Sequence, residues 1–248
     1  MDKNYYLEYY QLEREHWWFK ARLELLKDQV AAIAKNNNNL SILNIGVATG
    51  ATSIMLQQFG KVKSIEYDKL CFEFVKETLQ IDIEQGTILD LQFGDNSYDL
   101  VCAFDVIEHV QDDVKAVSEM QRVCKPNGSI LLAVPALMVL WSKHDEVNHH
   151  FKRYTVAELK KLLSTNGNIV YASYFNSILF PFILAFRIIG NWFPALFKRE
   201  GSGSDFSLMK NRFLNMFFYH IMRSESFFLN RNIKLPFGVS AIISWKKS

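Results

Sequence analysis

The sequence predicts a doubly wound α/β fold, and three observations carry that prediction. From Leu40 onward, short apolar stretches alternate with helix-like stretches, the pattern of a mostly parallel sheet covered on both faces. A glycine-containing turn, residues 46–50, stands between the first of those strands and the helix after it. Glu66 then closes the second strand about twenty residues beyond Gly46, the spacing at which a nucleotide-binding fold places an acidic group.

In chain order, residues 5–35 read as helical, the N-terminal helices of the fold, because Leu7, Leu12, Trp18, Leu25 and Leu26 recur at near-helical spacing. Residues 36–39 form a polar linker. Seven strands are expected: 41–45, 62–66, one within 81–88, 98–104, 129–134, 169–174 and 237–245. Helices fall at 51–59, with Gly60 as C-cap, and at 69–79. Another runs from an Asp112 or Asp113 cap to Cys124 and is ended by Lys125, Pro126, Asn127 and Gly128. A fourth covers 155–164, where Thr155 and Glu158 fit a capping box. Between the sixth and seventh strands lie about sixty aromatic-rich residues, too many for an ordinary connection, broken by Gly201, Ser202, Gly203 and Ser204. The expected division is a helical leader (1–39), an α/β core (40–175 and 236–248) and a helical insertion (176–235) able to act as a substrate lid.

Composition narrows the function classes. With 49% hydrophobic and 22% charged residues the chain is not disordered. A net charge of +2 and the lack of a basic stripe argue against nucleic acid as a partner. Cys71, Cys102 and Cys124 are odd in number and show no C-x-x-C spacing, which suggests reduced, buried thiols in a cytoplasmic protein. The first residues lack the pattern of a signal peptide. Residues 174–197 approach the length of a membrane span, but Asn176, Pro181, Arg187, Asn191 and Pro194 interrupt them, so a buried or interfacial helix is expected.

Four motifs carry chemistry. The turn from Asn44 through Gly46 to Gly50 lets backbone approach a ligand and points helix N–H groups at it, although a plain tight turn has the same look. Glu66 can accept both hydroxyls of a ribose, its alternative being a solvated surface carboxylate; as a strand-end group its loss should spare the fold. Ile88 and Leu89 can sandwich an adenine ring while Asp90 accepts its amino group, or Asp90 simply caps a turn. Phe104, Asp105, Val106, Ile107, Glu108 and His109 follow the fourth strand, beside the switch point where such folds bind ligands.

Together these residues resemble the class I S-adenosylmethionine-dependent methyltransferases, whose fold is Rossmann-like. The run from Asp99 to His109, followed by Lys125, Pro126, Asn127 and Gly128, is similar to that family's FDLV, D-V-x-E-H and LKPGG segments. The resemblance covers about residues 40–175 and extends further. His16, Trp17, Trp18, Phe19, Lys20, Ala21 and Arg22 resemble the HWWFRAR leader of one bacterial subfamily. Trp141 to Asp145, His149, Lys152 to Thr155, and Leu235 to Ser240 fit it too. The resemblance implies S-adenosylmethionine as cofactor, with S-adenosylhomocysteine as product. It places Gly46 and Gly50 on the methionine part, Glu66 on the ribose, and Ile88, Leu89 and Asp90 around the adenine. Phe104, Asp105 and His109 fall near the methionine and sulfonium end, and Arg22 on the methionine carboxylate. Two departures stand out: the family usually has Asp at Asn44 and Gly at Ala48.

The acceptor side is less defined. His109, His144, Asp145, His149 and His150 invite a metal reading, but nothing in the sequence makes them converge, and no metal is expected. The preferred assignment has Trp17, Trp18, Asp145, Arg153 and Tyr154 lining the acceptor pocket, with His144 or His149 taking a proton. A loop tied by its own hydrogen bonds is the competing assignment. The aromatic leader and insertion suggest a hydrophobic or lipid-linked acceptor, peripheral contact with the inner face of a membrane, or a homodimer interface built from the same residues. A nicotinamide-dependent dehydrogenase would share the turn and Glu66 but not the Asp105–His109 run. A cofactor-binding module without catalysis is the other alternative.

Overall fold

The computed structural model describes residues 3–35, 37–192 and 211–248. Its centre is a sheet of seven strands: β1 (Leu40–Ile45), β2 (Gly60–Glu66), β3 (Ile83–Gln85), β4 (Tyr98–Phe104), β5 (Cys124–Pro135), β6 (Gly167–Phe175) and β7 (Ser240–Lys247). Their order is β3-β2-β1-β4-β5-β7-β6. All neighbours are parallel except β7, which runs antiparallel between β5 and β6. The order reverses between β1 and β4, so the connections leaving those strands diverge to opposite faces and open a crevice at their carboxyl ends.

Alternation along the strands builds two cores. Leu43, Ile45, Val101, Ala103, Ile130, Leu132 and Val134 face one side. They meet Ala116, Val117, Met120 and Val123 of α5 (Asp113–Val123) and Leu159 of α7 (Val156–Leu162). Ile42, Leu100, Cys102, Phe104, Leu131 and Ala133 face the other. That side is covered by Ala21, Leu25, Leu26 and Val30 of α2 (Trp17–Ala34), Met55 and Leu56 of α3 (Ala51–Leu56), and Met222 of α9 (Arg212–Ser224). A smaller cluster joins Tyr6 of α1 (Lys3–Glu15) to Val47 and to Cys71, Phe74 and Val75 of α4 (Lys69–Thr78).

The capping box on α7 forms as expected, with Thr155 and Glu158 each bonding the other's backbone N–H. Asp112, of the two candidates, caps α5. All three cysteines are free and buried.

Several expectations need correction. The leader forms helices as expected, but its helical stretch is broken at His16, which caps α2, its Nδ1 accepting from the Trp18 N–H at 3.2 Å. Gly60 opens β2. Lys125 to Gly128 lie within β5 rather than in a turn, the pairing with β4 shifting register between Tyr98 and Leu100 to absorb them. β3, Ile83–Gln85, falls inside the expected 81–88 and needs no correction. Between β6 and β7 lie α8 (Phe180–Trp192), α9 and α10 (Ser226–Leu229), while the Gly201–Ser204 break lies outside the described residues. A short α6 (Lys143–Val147) precedes α7.

Candidate active site

The β1–α3 turn sits at the switch point and needs its glycines. Gly46 and Gly50 hold φ of +71° and +90°. A Cβ at Gly46 would fall 2.4 Å from Val106 Cγ2, and one at Gly50 2.3 Å from Leu79 Cδ1. Ala48 shares the left-handed region at φ +48°, so the departure from Gly costs backbone strain. Asn44 is buried and donates to Thr52 Oγ1 at 3.0 Å and Ser53 Oγ at 2.9 Å, tying β1 to the first turn of α3.

Glu66 is buried rather than solvated, which corrects its description as a strand-end group the fold can spare. Its Oε2 accepts the N–H groups of Val47 (2.9 Å) and Ala48 (3.2 Å), and its Oε1 that of Asp68 (3.0 Å). Burial pushes this carboxyl up, and the backbone donors oppose that shift. Oε2 is filled by these donors, so Oε1 is the oxygen left for a ribose hydroxyl. Of the adenine residues, Ile88 is buried in the core, Leu89 is half-buried and Asp90 is exposed.

Arg22 reaches the end of β4. Its guanidinium is buried and ion-paired with Asp105, Nη2 to Oδ2 at 2.8 Å, while its Nε and Nη2 have no hydrogen-bond partner among the described residues. Trp18 flanks it, the ring centroid 5.4 Å from the guanidinium carbon. Asp105 is held at φ +55° directly after Phe104, which is buried beneath it.

The leader closes over the turn. Thr49 Oγ1 donates to the Glu13 carboxylate, Arg14 Nη2 donates to Thr49 O at 3.3 Å, and the Tyr6 hydroxyl donates to Asp68 at 2.8 Å. Burial raises the Glu13 carboxyl to about 7 against the Thr49 bond. Trp17 packs on Phe218 of α9, ring centroids 5.4 Å apart. At the break between α1 and α2, Asn215 of α9 accepts from Trp17 N–H at 2.8 Å and donates to Glu15 O at 2.9 Å.

On the acceptor side, three expected pocket residues are internal ties. Asp145 and Arg153 are buried and bonded to each other at 2.8 and 3.1 Å, and Arg153 also donates to Ala136 O. Burial pushes Asp145 up, but His150 and Arg153 more than reverse that and hold it well below the usual carboxylate range. Tyr154 is buried, its hydroxyl donating to Asp113 at 2.9 Å and lying 3.1 Å from Ile107 O. The polar groups of these three residues are spent on holding the loop after β5. His144 is half-buried against Asn148, and His149 is exposed at φ +56°.

Sequence reasoning named Glu108 only as part of the Phe104–His109 run, with no role of its own, and missed Asn176. Glu108 is wholly buried with both carboxyl oxygens unpartnered among the described residues, and burial together with Asp105 raises it strongly. Asn176, after β6, is buried with its amide likewise unpartnered. The one signal for Glu108 was its place beside His109. Its neighbour His150 arrives from a distant loop, which no local pattern reveals.

The sequence is matched by a profile of the methyltransferase domain over residues 43–132. It is 29% identical over 160 residues to a probable S-adenosylmethionine-dependent methyltransferase of Mycolicibacterium smegmatis, a match covering 63% of this chain and 61% of that protein. The chain therefore spans about three fifths of that relative's length. Among solved structures, it superposes with a TM-score of 0.59 on a putative sarcosine dimethylglycine methyltransferase from Galdieria sulphuraria, at 14% identity over 92% of this chain and 86% of that one. A possible histamine N-methyltransferase from Thermotoga maritima gives 0.56, at 16% identity over 98% and 99%. At such identities the structural likeness speaks for the fold alone. The family implies S-adenosylmethionine as cofactor. With the glycine turn, Glu66 and the Arg22–Asp105 pair gathered at the switch point of this sheet, residues 43–132 match the methyltransferase domain, and the chain is similar in sequence to probable S-adenosylmethionine-dependent methyltransferases.

Proposed function

We propose that this protein moves the methyl group of S-adenosylmethionine to a hydrophobic or lipid-linked small molecule met at the cytoplasmic face of a membrane. The observation that carries the cofactor half is the Arg22–Asp105 pair, a buried guanidinium with a free Nε beside a carboxylate. The pair matches the two charged ends of an amino acid: Arg22 grips the carboxylate and Asp105 takes the ammonium. The turn at Gly46 admits close approach, Glu66 Oε1 receives a ribose hydroxyl, and Asp90 with Leu89 borders the base. The sulfonium brings a methyl already activated for transfer. The chain's own part is alignment and exclusion of water, which α1 and α2 serve by lying over the turn. For a hydroxyl acceptor, His149 or His144 takes the departing proton; an oxygen already ionised needs neither.

The acceptor half is supported by the outer faces of α8 and α9. Phe182, Phe186, Phe213 and Phe217 are exposed there, together with Ile188, Ile189 and Leu214. Such a grouping is larger than scattered surface residues and suits an apolar ligand or a lipid surface. Among the described residues no helix is long and apolar enough to cross a membrane.

Calorimetry with S-adenosylhomocysteine and, separately, NAD tests the cofactor half. Binding of the first without the second is expected, and NAD binding alone defeats the proposal. For the acceptor, the protein is incubated with methyl-labelled cofactor and a cell extract. Label is expected in the organic phase, and label confined to water-soluble products sinks the apolar assignment.

A further inference from the structure

We propose that Glu108, His109 and His150 form a binding site for one divalent transition-metal ion of the zinc or cobalt kind, in the loop that follows β4. One carboxylate oxygen and one nitrogen from each ring lie within 4.8 Å of one another. An ion holding donors at about 2.0–2.2 Å sets them roughly 3.4 Å apart, so side-chain rotations suffice to close the set. The backbone is already fixed: the Phe151 N–H donates to Glu108 O at 2.7 Å, and the His150 N–H to Asp145 O at 2.9 Å.

Two further observations point to a cation. The first is Glu108 itself, wholly buried, with neither carboxyl oxygen hydrogen-bonded among the described residues. A buried carboxylate without a partner is costly and calls for a proton or a cation. Arg22 and Arg153 are near enough to act on Glu108 by charge, but neither is hydrogen-bonded to it: Arg153 is bonded to Asp145 and Ala136 O, and Arg22 is ion-paired with Asp105. The second is the orientation of the rings. His150 gives its Nδ1–H to the Asp145 carboxylate at 2.9 Å, and Arg153 and the Ser142 N–H hold that carboxylate in turn. Metal-binding histidines are commonly held in this way by a carboxylate or carbonyl on the far nitrogen, which leaves the near one as the donor. The two rings stand nearly perpendicular, centroids 4.6 Å apart.

Two imidazoles and one carboxylate suit zinc, cobalt, nickel or ferrous iron better than calcium or magnesium. Three protein donors leave a coordination position open. His109 is exposed, so water or an oxygen of an incoming molecule can reach that position. The assignment does not rest on methyl transfer, because metal binding is read directly.

The full chain, purified without a histidine tag and dialysed against chelator, is titrated with cobalt chloride by visible absorption and with zinc chloride by calorimetry. One ion per chain is expected, with a cobalt spectrum of low coordination number. His109→Ala, His150→Ala and Glu108→Gln should each weaken binding by roughly 10–100-fold or more. His220→Ala, an exposed histidine on α9, should leave it unchanged. Because the buried Glu108 variant can misfold, the exposed His109→Ala, checked by circular dichroism, is the deciding variant. Absence of stoichiometric binding, or equal affinity in folded His109→Ala and the parent, overturns the site. Binding of S-adenosylhomocysteine to the same samples keeps that failure distinct from failure of the proposed reaction.

Discussion

At the scale of single residues, Glu66 and Arg22 can be told apart by which end of a ligand each meets. Glu66→Ala removes an acceptor for the ribose and also frees the Val47 and Ala48 amides, so it should lower both affinity and stability. A loss of about 1–3 kcal/mol in binding is expected for S-adenosylhomocysteine and equally for methylthioadenosine, which keeps the ribose. Arg22→Ala should weaken S-adenosylhomocysteine by a similar amount and leave methylthioadenosine untouched, since that molecule lacks the amino-acid end. Calorimetry on the four combinations gives the result, and an Arg22 variant that loses both ligands equally contradicts its placement. Both residue types were legible in the sequence from spacing and resemblance. The burial of Glu66 was not, because burial depends on the turn folding back over the strand end.

At the scale of elements, the leader's docking carries a pH signature. Burial raises the Glu13 carboxyl to about 7 from an ordinary 4.5. Between those values the unfolded chain gives up its proton while the folded chain keeps it. Stability from this group is therefore full at low pH, falls as pH rises through the window and levels off above about 7. The loss should be on the order of 1–3 kcal/mol. His16 works in the opposite sense: burial depresses it to about 4, so its contribution is lost as pH falls. The difference in thermal midpoint between the parent and Glu13→Gln, followed from pH 5 to 8, isolates Glu13 and should shift in favour of the variant as pH rises. The seam between leader and insertion is tested by Asn215→Ala. It removes the bonds to Trp17 N–H and Glu15 O, should cost about 1–2 kcal/mol, and should expose the α1–α2 break to protease.

At the scale of the whole molecule, α9 belongs to the core cover as well as to the outer surface. Its own Met222 is buried in the core, and its Arg223 pairs with Asp28 of α2 at 2.7 Å. Deleting the insertion would strip α2, so membrane contact is better tested by point changes on the exposed face. The pair Phe213→Glu and Phe217→Glu should reduce co-sedimentation with anionic liposomes several-fold while leaving the thermal midpoint nearly unchanged. Undiminished co-sedimentation in a folded variant removes α9 from any membrane contact.

The sequence by itself determined the alternation of strands and helices, the turn at Gly46 and Gly50, the Thr155–Glu158 box and the carboxylate that ends β2. These depend on local propensity, on φ angles open to glycine and on spacing along one chain. It did not determine the break at His16, because the helical pattern of residues 5–35 continues through it and the deciding bonds come from Asn215, about two hundred residues away. Nor did it separate Asp145, Arg153 and Tyr154 as internal ties from pocket residues, since a charged side chain in a loop looks the same whether it faces a ligand or its own counter-ion. The meeting of Glu108, His109 and His150 is likewise tertiary. Proximity between residues far apart in sequence is set by which elements pack together, and that packing is driven by apolar burial with no regard for the polar groups it brings into one place.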